Sequence, residues 1–309
     1  MRPSDSAISA SRCRTGFLLR RLRGATAALA LLAAAGPAVA TATTPSDPAP
    51  VPLGASPARL PPPEARAPTI ALVLDDLGHE VASLRRIARW PIPFTAAFLP
   101  YVPEAAERVA LLRAAGKEIF LHMPMQAESA GVDPGPLALR IDQEAPAIRD
   151  RLEMALARVP GSSGVSNHMG SLFTRFASAM EPVIAWAAER GLVFLDSRTT
   201  PGSVGEALAA TANLPHAARD VFLDHRDEPS AIRAQLVRVE RLARRNGNAI
   251  AIGHPRPATL AALEEWIPEA QARGIRFATA GEVARRRSCE ARVHIAAAAP
   301  RVSGCRSRN

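Results

Sequence analysis

Cysteine is scarce in this chain. There are three in 309 residues and no Cys-x-x-Cys pair, which excludes a thiolate metal cluster or a disulfide-stapled scaffold. Cys13 falls in the leader, while Cys289 and Cys305 fall near the C-terminus, where a bond between them would staple nothing in the core. Aromatic residues make up only 4% of the chain, with a single tyrosine, so an extended stacking groove for polysaccharide is not evident. The apolar run from Ala25 to Ala35 is much shorter than the ~20 residues of a membrane-spanning helix. No internal repeat is present, which disfavours a solenoid.

A basic core is also missing, although the net charge is +9. The first 40 residues hold six Arg and one Asp (net +5), and the stretch from Arg285 onward holds seven Arg and one Glu (net +6), leaving residues 41–284 at −2. The core is therefore no nucleic-acid module. The basic C-terminal stretch suits contact with a membrane surface or an acidic cell-wall polymer, or simple solvation.

Residues 1–40 have the order of a secretory signal. Arg12, Arg14, Arg20, Arg21 and Arg23 precede the apolar run, and Ala38-Val39-Ala40 matches a small-residue cleavage site. The expected location is periplasmic or secreted, with an uncleaved anchor as the alternative. Residues 41–68, rich in Pro, Ala, Thr and Ser, read as a linker. Residues 69–286 read as the folded domain, and residues 287–309 as a disordered Arg- and Ala-rich tail.

Within the domain, apolar strand-like runs alternate with longer amphipathic segments. That alternation predicts an α/β fold in which parallel strands are wrapped by helices. Six or seven units over this length fit a single distorted (β/α) barrel. Ile70-Ala-Leu-Val-Leu74 is the first strand, and it runs into Asp75 and Asp76. Two adjacent carboxylates there raise one another's pKa, an arrangement that a cation or a shared proton relieves. The plainer alternative has one of them capping the next helix while the other faces solvent.

Other apolar runs end alike: His122, His168, Asp196, Asp224-His225 and His254 each follow one. In a parallel barrel these ends share one face. Two His and one Asp make a donor set suited to zinc or a similar divalent ion, leaving open positions for water and substrate. A second carboxylate can take a proton from water, and a further His can protonate a leaving amine. His79, His216 and His294 read as solvated or loop residues. Trp90, Trp186 and Trp266, like Met123 and Met125, read as packing.

The stretches Leu74-Asp-Asp-Leu-Gly78, His122-Met-Pro-Met125, Asn167-His-Met-Gly-Ser171, Leu195-Asp-Ser-Arg-Thr199 and Gly253-His-Pro255 together resemble the divergent polysaccharide deacetylase family. That family is related to chitooligosaccharide and peptidoglycan deacetylases, and the resemblance covers Thr69 to Arg286. It implies a distorted (β/α) barrel, with Asp75 as general base, Asp76 and His122 as metal ligands and His254 as the acid. Asp196 would orient a catalytic partner or the substrate. Typical deacetylases carry a second ligand His four residues after the first, where this chain has Gln126, and they carry an arginine-proline motif that is absent here. His168 is expected to supply the third ligand instead. The implied activity is zinc-dependent removal of N-acetyl groups from a cell-envelope glycan. The alternative is a weak or inactive deacetylase-like protein that binds or scaffolds the envelope. A glycoside hydrolase is disfavoured, because adjacent acids seldom straddle one glycosidic bond.

Overall fold

A computed structural model describes residues 67–298. The expected signal segment, the linker up to residue 66, and residues 299–309 with Cys305 lie outside the described residues. No helix among the described residues is long and apolar enough to cross a membrane.

The first strand, β1 (Thr69–Leu77), is buried along almost its whole length. An unbroken apolar run of this kind suits a strand covered on both faces. Ile70, Leu72 and Leu74 pack outward among the helices, while Ala71 and Val73 point into a small interior cluster. Each fully buried Leu or Ile contributes about 1.5–3 kcal/mol relative to exposure. The interior is filled by aliphatic side chains, Ala, Val, Leu and Ile, around Phe120. Gly164 is needed beside it, because a Cβ at that position would lie 2.4 Å from the Phe120 ring.

Among the described residues nine strands follow one another in parallel: β1, β2 (Thr95–Phe98), β3 (Glu118–Met125), β4 (Gly164–Met169), β5 (Val193–Asp196), β6 (His216–Ala218), β7 (Val221–Phe222), β8 (Asn248–Gly253) and β9 (Arg276–Ala278). Their spatial order is β6-β5-β4-β3-β2-β1-β8-β7, with β9 pairing the early part of β1. The sheet curls into the expected distorted barrel. Its two margins, β6 and β7, do not pair with each other, but only Arg219 and Asp220 separate them. The Arg219 N–H donates to Asp196 O on β5, and the next N–H, of Asp220, donates to Ile250 O on β8. One extended segment therefore spans the seam.

The helices wrap the outside: α1 (Val81–Ala88), α2 (Ala105–Ala114), α3 (Ala145–Arg158), α4 (Ala177–Glu189), α5 (Gly205–Thr211), α6 (Pro229–Asn246) and α7 (Pro257–Ala272). Trp90, Trp186 and Trp266 are buried against them, and Met123 and Met125 are core residues, as expected.

Three readings need correction. β3 continues to Met125, so His122 lies inside the strand; register with β4 holds as far as Met125↔Met169. His216 opens β6 rather than lying in a loop. The domain does not stop at residue 286, since α8 (Ala280–Ala298) takes in residues 287–298 of the supposed disordered tail. Its side chains explain why. Arg287 donates to Asn248 Oδ1 at 2.7 Å and to Asp220 Oδ2 at 2.6 Å, and the Ser288 hydroxyl accepts from the His216 N–H at 3.1 Å.

Candidate metal centre and its carboxylate pair

The site begins with an irregularity in β1. Pairing with β2 runs Leu74↔Ala96 and then Leu77↔Phe98, so β1 spends one residue more than its partner. Successive side chains of a regular strand face opposite ways, whereas a bulge re-aims them. Asp76 accordingly takes a left-handed backbone, φ 56°, and both carboxylates reach one cavity. Backbone of this type costs a non-glycine residue about 1–2 kcal/mol. Gly78 ends the turn at φ +117°, and a Cβ there would meet Val102 Cγ2 at 2.5 Å.

Asp76, His122 and His168 converge, each offering one ligand atom, all within 4.8 Å of one another. Asp76 Oδ1 lies 3.2 Å from His122 Nε2 and 2.7 Å from His168 Nδ1. Although buried, this oxygen has no well-directed hydrogen bond. Three donor atoms crowded this closely fit a shared cation. Burial pushes the Asp76 carboxyl upward, but the two imidazoles facing it outweigh that and hold it well below the usual carboxylate range. On its far side, His122 Nδ1 is 2.8 Å from Ser166 Oγ, the kind of outer partner that sets a ligand imidazole's orientation.

Asp75 is 3% exposed, with Oδ2 3.5 Å from His122 Nε2 and Oδ1 buried without a partner. Burial pushes its pKa up, helped by the Asp76 charge, while His122, His254 and His168 pull the other way without prevailing. A carboxylate so raised accepts a proton more readily.

His254 follows β8 and faces Asp76 from across the cavity, its Nε2 3.6 Å from Asp76 Oδ2. Its Nδ1 lies 2.9 Å from Asp224 Oδ1, and its backbone N–H donates to Asp224 Oδ2 at 2.8 Å. Burial alone would lower the His254 pKa, but the bond to Asp224 and that carboxylate's charge, with Asp76 and Asp75 behind them, raise it.

Five of the six expected site residues therefore meet. The sixth, Asp196, does not join them: its oxygens accept from the Arg198 N–H at 2.8 Å and the Ser203 hydroxyl at 2.7 Å, shaping the loop after β5. The carboxylate that orients His254 is Asp224, which sequence reasoning marked as a strand end but left without a role. Ser166 was missed because nothing in its local sequence marks it. Gln126 is occupied elsewhere, its Oε1 accepting from the Ile141 N–H at 3.0 Å.

Comparison with known proteins agrees with this architecture. A protein of Haemophilus influenzae is 35% identical over 196 residues, covering 63% of this chain and 69% of its own length. The Escherichia coli protein YibQ is 33% identical over 201 residues, covering 64% of this chain; the present chain spans only 62% of that relative. The crystal structure of ATU2773 from Agrobacterium tumefaciens superposes with a TM-score of 0.67 at 30% identity, covering 72% of this chain and 92% of that one. All three are named as uncharacterized proteins, so they carry no activity to this chain. The sequence model of divergent polysaccharide deacetylases matches residues 72–284, a span that takes in every strand end forming the site, and the chain belongs to that family.

Proposed function

We propose that this chain is a metal-dependent hydrolase that removes acetyl groups from an N-acetylated cell-envelope glycan. The observation that carries the reading is the convergence of Asp76, His122 and His168 beside the buried, unpartnered Asp75 oxygen. Asp76, His122 and His168 would hold the ion, and two imidazoles with one carboxylate suit zinc. A bound divalent ion supplies Lewis acidity toward an amide carbonyl and lowers the pKa of water.

The remaining steps belong to the protein. Asp75 takes the proton from the attacking water, a task its raised pKa favours. His254, held by Asp224, gives a proton to the departing amine nitrogen, and its raised pKa favours the protonated form. Ser166 keeps the His122 ring in place. The leader makes a periplasmic or secreted setting the natural place for an envelope substrate.

The test is acetate release from N-acetylglucosamine oligomers by zinc-loaded protein and by Asp75→Asn. The variant is expected to lose activity about 10²–10⁴-fold while keeping its metal. Equal release would remove Asp75 from the chemistry. No release by fully metal-loaded parent from any N-acetylated sugar would favour the binding or scaffold role.

A further inference from the structure

The cavity holding the metal centre, about 410 Å³, is also lined by Arg198, Arg219 and Arg256. Each comes from a different segment: Arg198 follows β5, Arg219 sits at the seam between β6 and β7, and Arg256 precedes α7. Among the described residues no carboxylate forms an ion pair with any of the three.

Two of the three are fixed in place. Arg219 Nε donates to Ser197 O at 2.7 Å and Nη2 to Arg198 O at 2.9 Å, and its guanidinium lies 4.7 Å from the Phe222 ring. Arg256 Nη1 donates to Asp224 O at 2.8 Å. These partners are neutral carbonyls, so neither guanidinium is closed into an ion pair, although Asp75 and Asp196 act on Arg219 at longer range, and each retains N–H groups for another acceptor. Arg198 is exposed at the rim, its backbone held at φ 48°.

Charge arithmetic makes the arrangement informative. With a divalent ion balancing Asp75 and Asp76, and Asp224 paired with His254, three guanidinium charges face the cavity against Asp196 alone, which acts on Arg219 from longer range. This happens in a region, residues 41–284, whose overall charge is −2, so the cavity runs against the charge of its own domain. A neutral N-acetyl sugar would leave those charges without a partner. The planar fork of a guanidinium matches a carboxylate.

We infer that the site takes an acidic N-acetylated sugar, one carrying a carboxylate near the acetamido group, and that Arg198, Arg219 and Arg256 select it. This rests on the deacetylase reading for the acetamido group, but its test does not depend on turnover.

The test is calorimetric binding to the zinc-loaded full-length chain of N-acetylmuramic acid, its methyl ester and N-acetylglucosamine. The acid is expected to bind about tenfold more tightly than either neutral sugar, the scale of a hydrogen bond to a charged group. Arg256→Gln and Arg198→Gln should each reduce that ratio several-fold. Arg198 is an exposed residue with no side-chain bond to lose, so its variant keeps the proposal testable if Arg256→Gln fails to fold. Equal binding of acid and ester overturns the inference. So does a preference that survives both substitutions, or one that disappears when the metal is chelated, since that would put the carboxylate on the ion. Discrimination without acetate release would defeat the hydrolase reading alone; acetate release without discrimination would defeat this one alone.

Discussion

Asp224 grips His254 twice, accepting from the backbone N–H with one oxygen and facing Nδ1 with the other. The Thr259 hydroxyl completes the cage at 2.8 Å, and Asp224 is fully buried. Neither residue reaches the other through local sequence; they stand thirty positions apart.

This pair should give stability a maximum in mildly acidic solution. Burial pushes Asp224 up, but His254 and Thr259 hold it below the ordinary 3.8. Its folded value lies under its unfolded one, so its contribution is present above that value and is lost as pH falls through the folded value. His254 is raised above 6.5, so its contribution is full below 6.5 and is lost as pH rises through the folded value. Asp224→Asn should cost about 3 kcal/mol near pH 5. Denaturant midpoints of parent and variant, measured with chelator at pH 3, 5 and 9, should draw together at both extremes. A gap constant across that range would count against the pair.

Metal retention separates His168 from Gln126. His168→Ala should weaken metal affinity at least about tenfold, because its Nδ1 is one of the three converging atoms. Gln126→Ala should leave it unchanged, since that amide holds the loop at Ile141. Elemental analysis after dialysis reads both. Equal metal content in the two variants would dissolve the proposed ligand set.

Gly78 should tolerate no side chain. Gly78→Ala combines a 2.5 Å clash with Val102 and a φ of +117°, and should cost about 2–3 kcal/mol by thermal unfolding. Gly116→Ala makes a suitable comparison: it has φ +71° with nothing within 4 Å, so only the backbone penalty of about 1 kcal/mol applies. If the two variants melt together, the close approach of Val102 is of no consequence.

The meeting of Asp76, His122 and His168 was legible because apolar runs announce strands, and parallel strands finish on one face. The choice between Asp196 and Asp224 was not. Both end strands, and only the pairing of β7 with β8 brings Asp224 beside His254. The bulge that turns Asp75 and Asp76 into one cavity also escapes a reading by alternation, which would send them apart. Arg285-Arg286-Arg287 looked like the start of a solvated tail, yet the partners that bury Arg287, Asn248 and Asp220, lie 39 and 67 positions upstream.

Those partners give the C-terminal helix a late duty. Arg287 reaches Asn248 at the foot of β8 and Asp220 in the two-residue bridge, while Ser288 meets the edge of β6. The clasp on the open side of the barrel is thus supplied by residues that follow every one of its strands in the chain. A chain can lay down every strand that carries the site and still leave the barrel unlatched, and a version cut at residue 286 would stay that way.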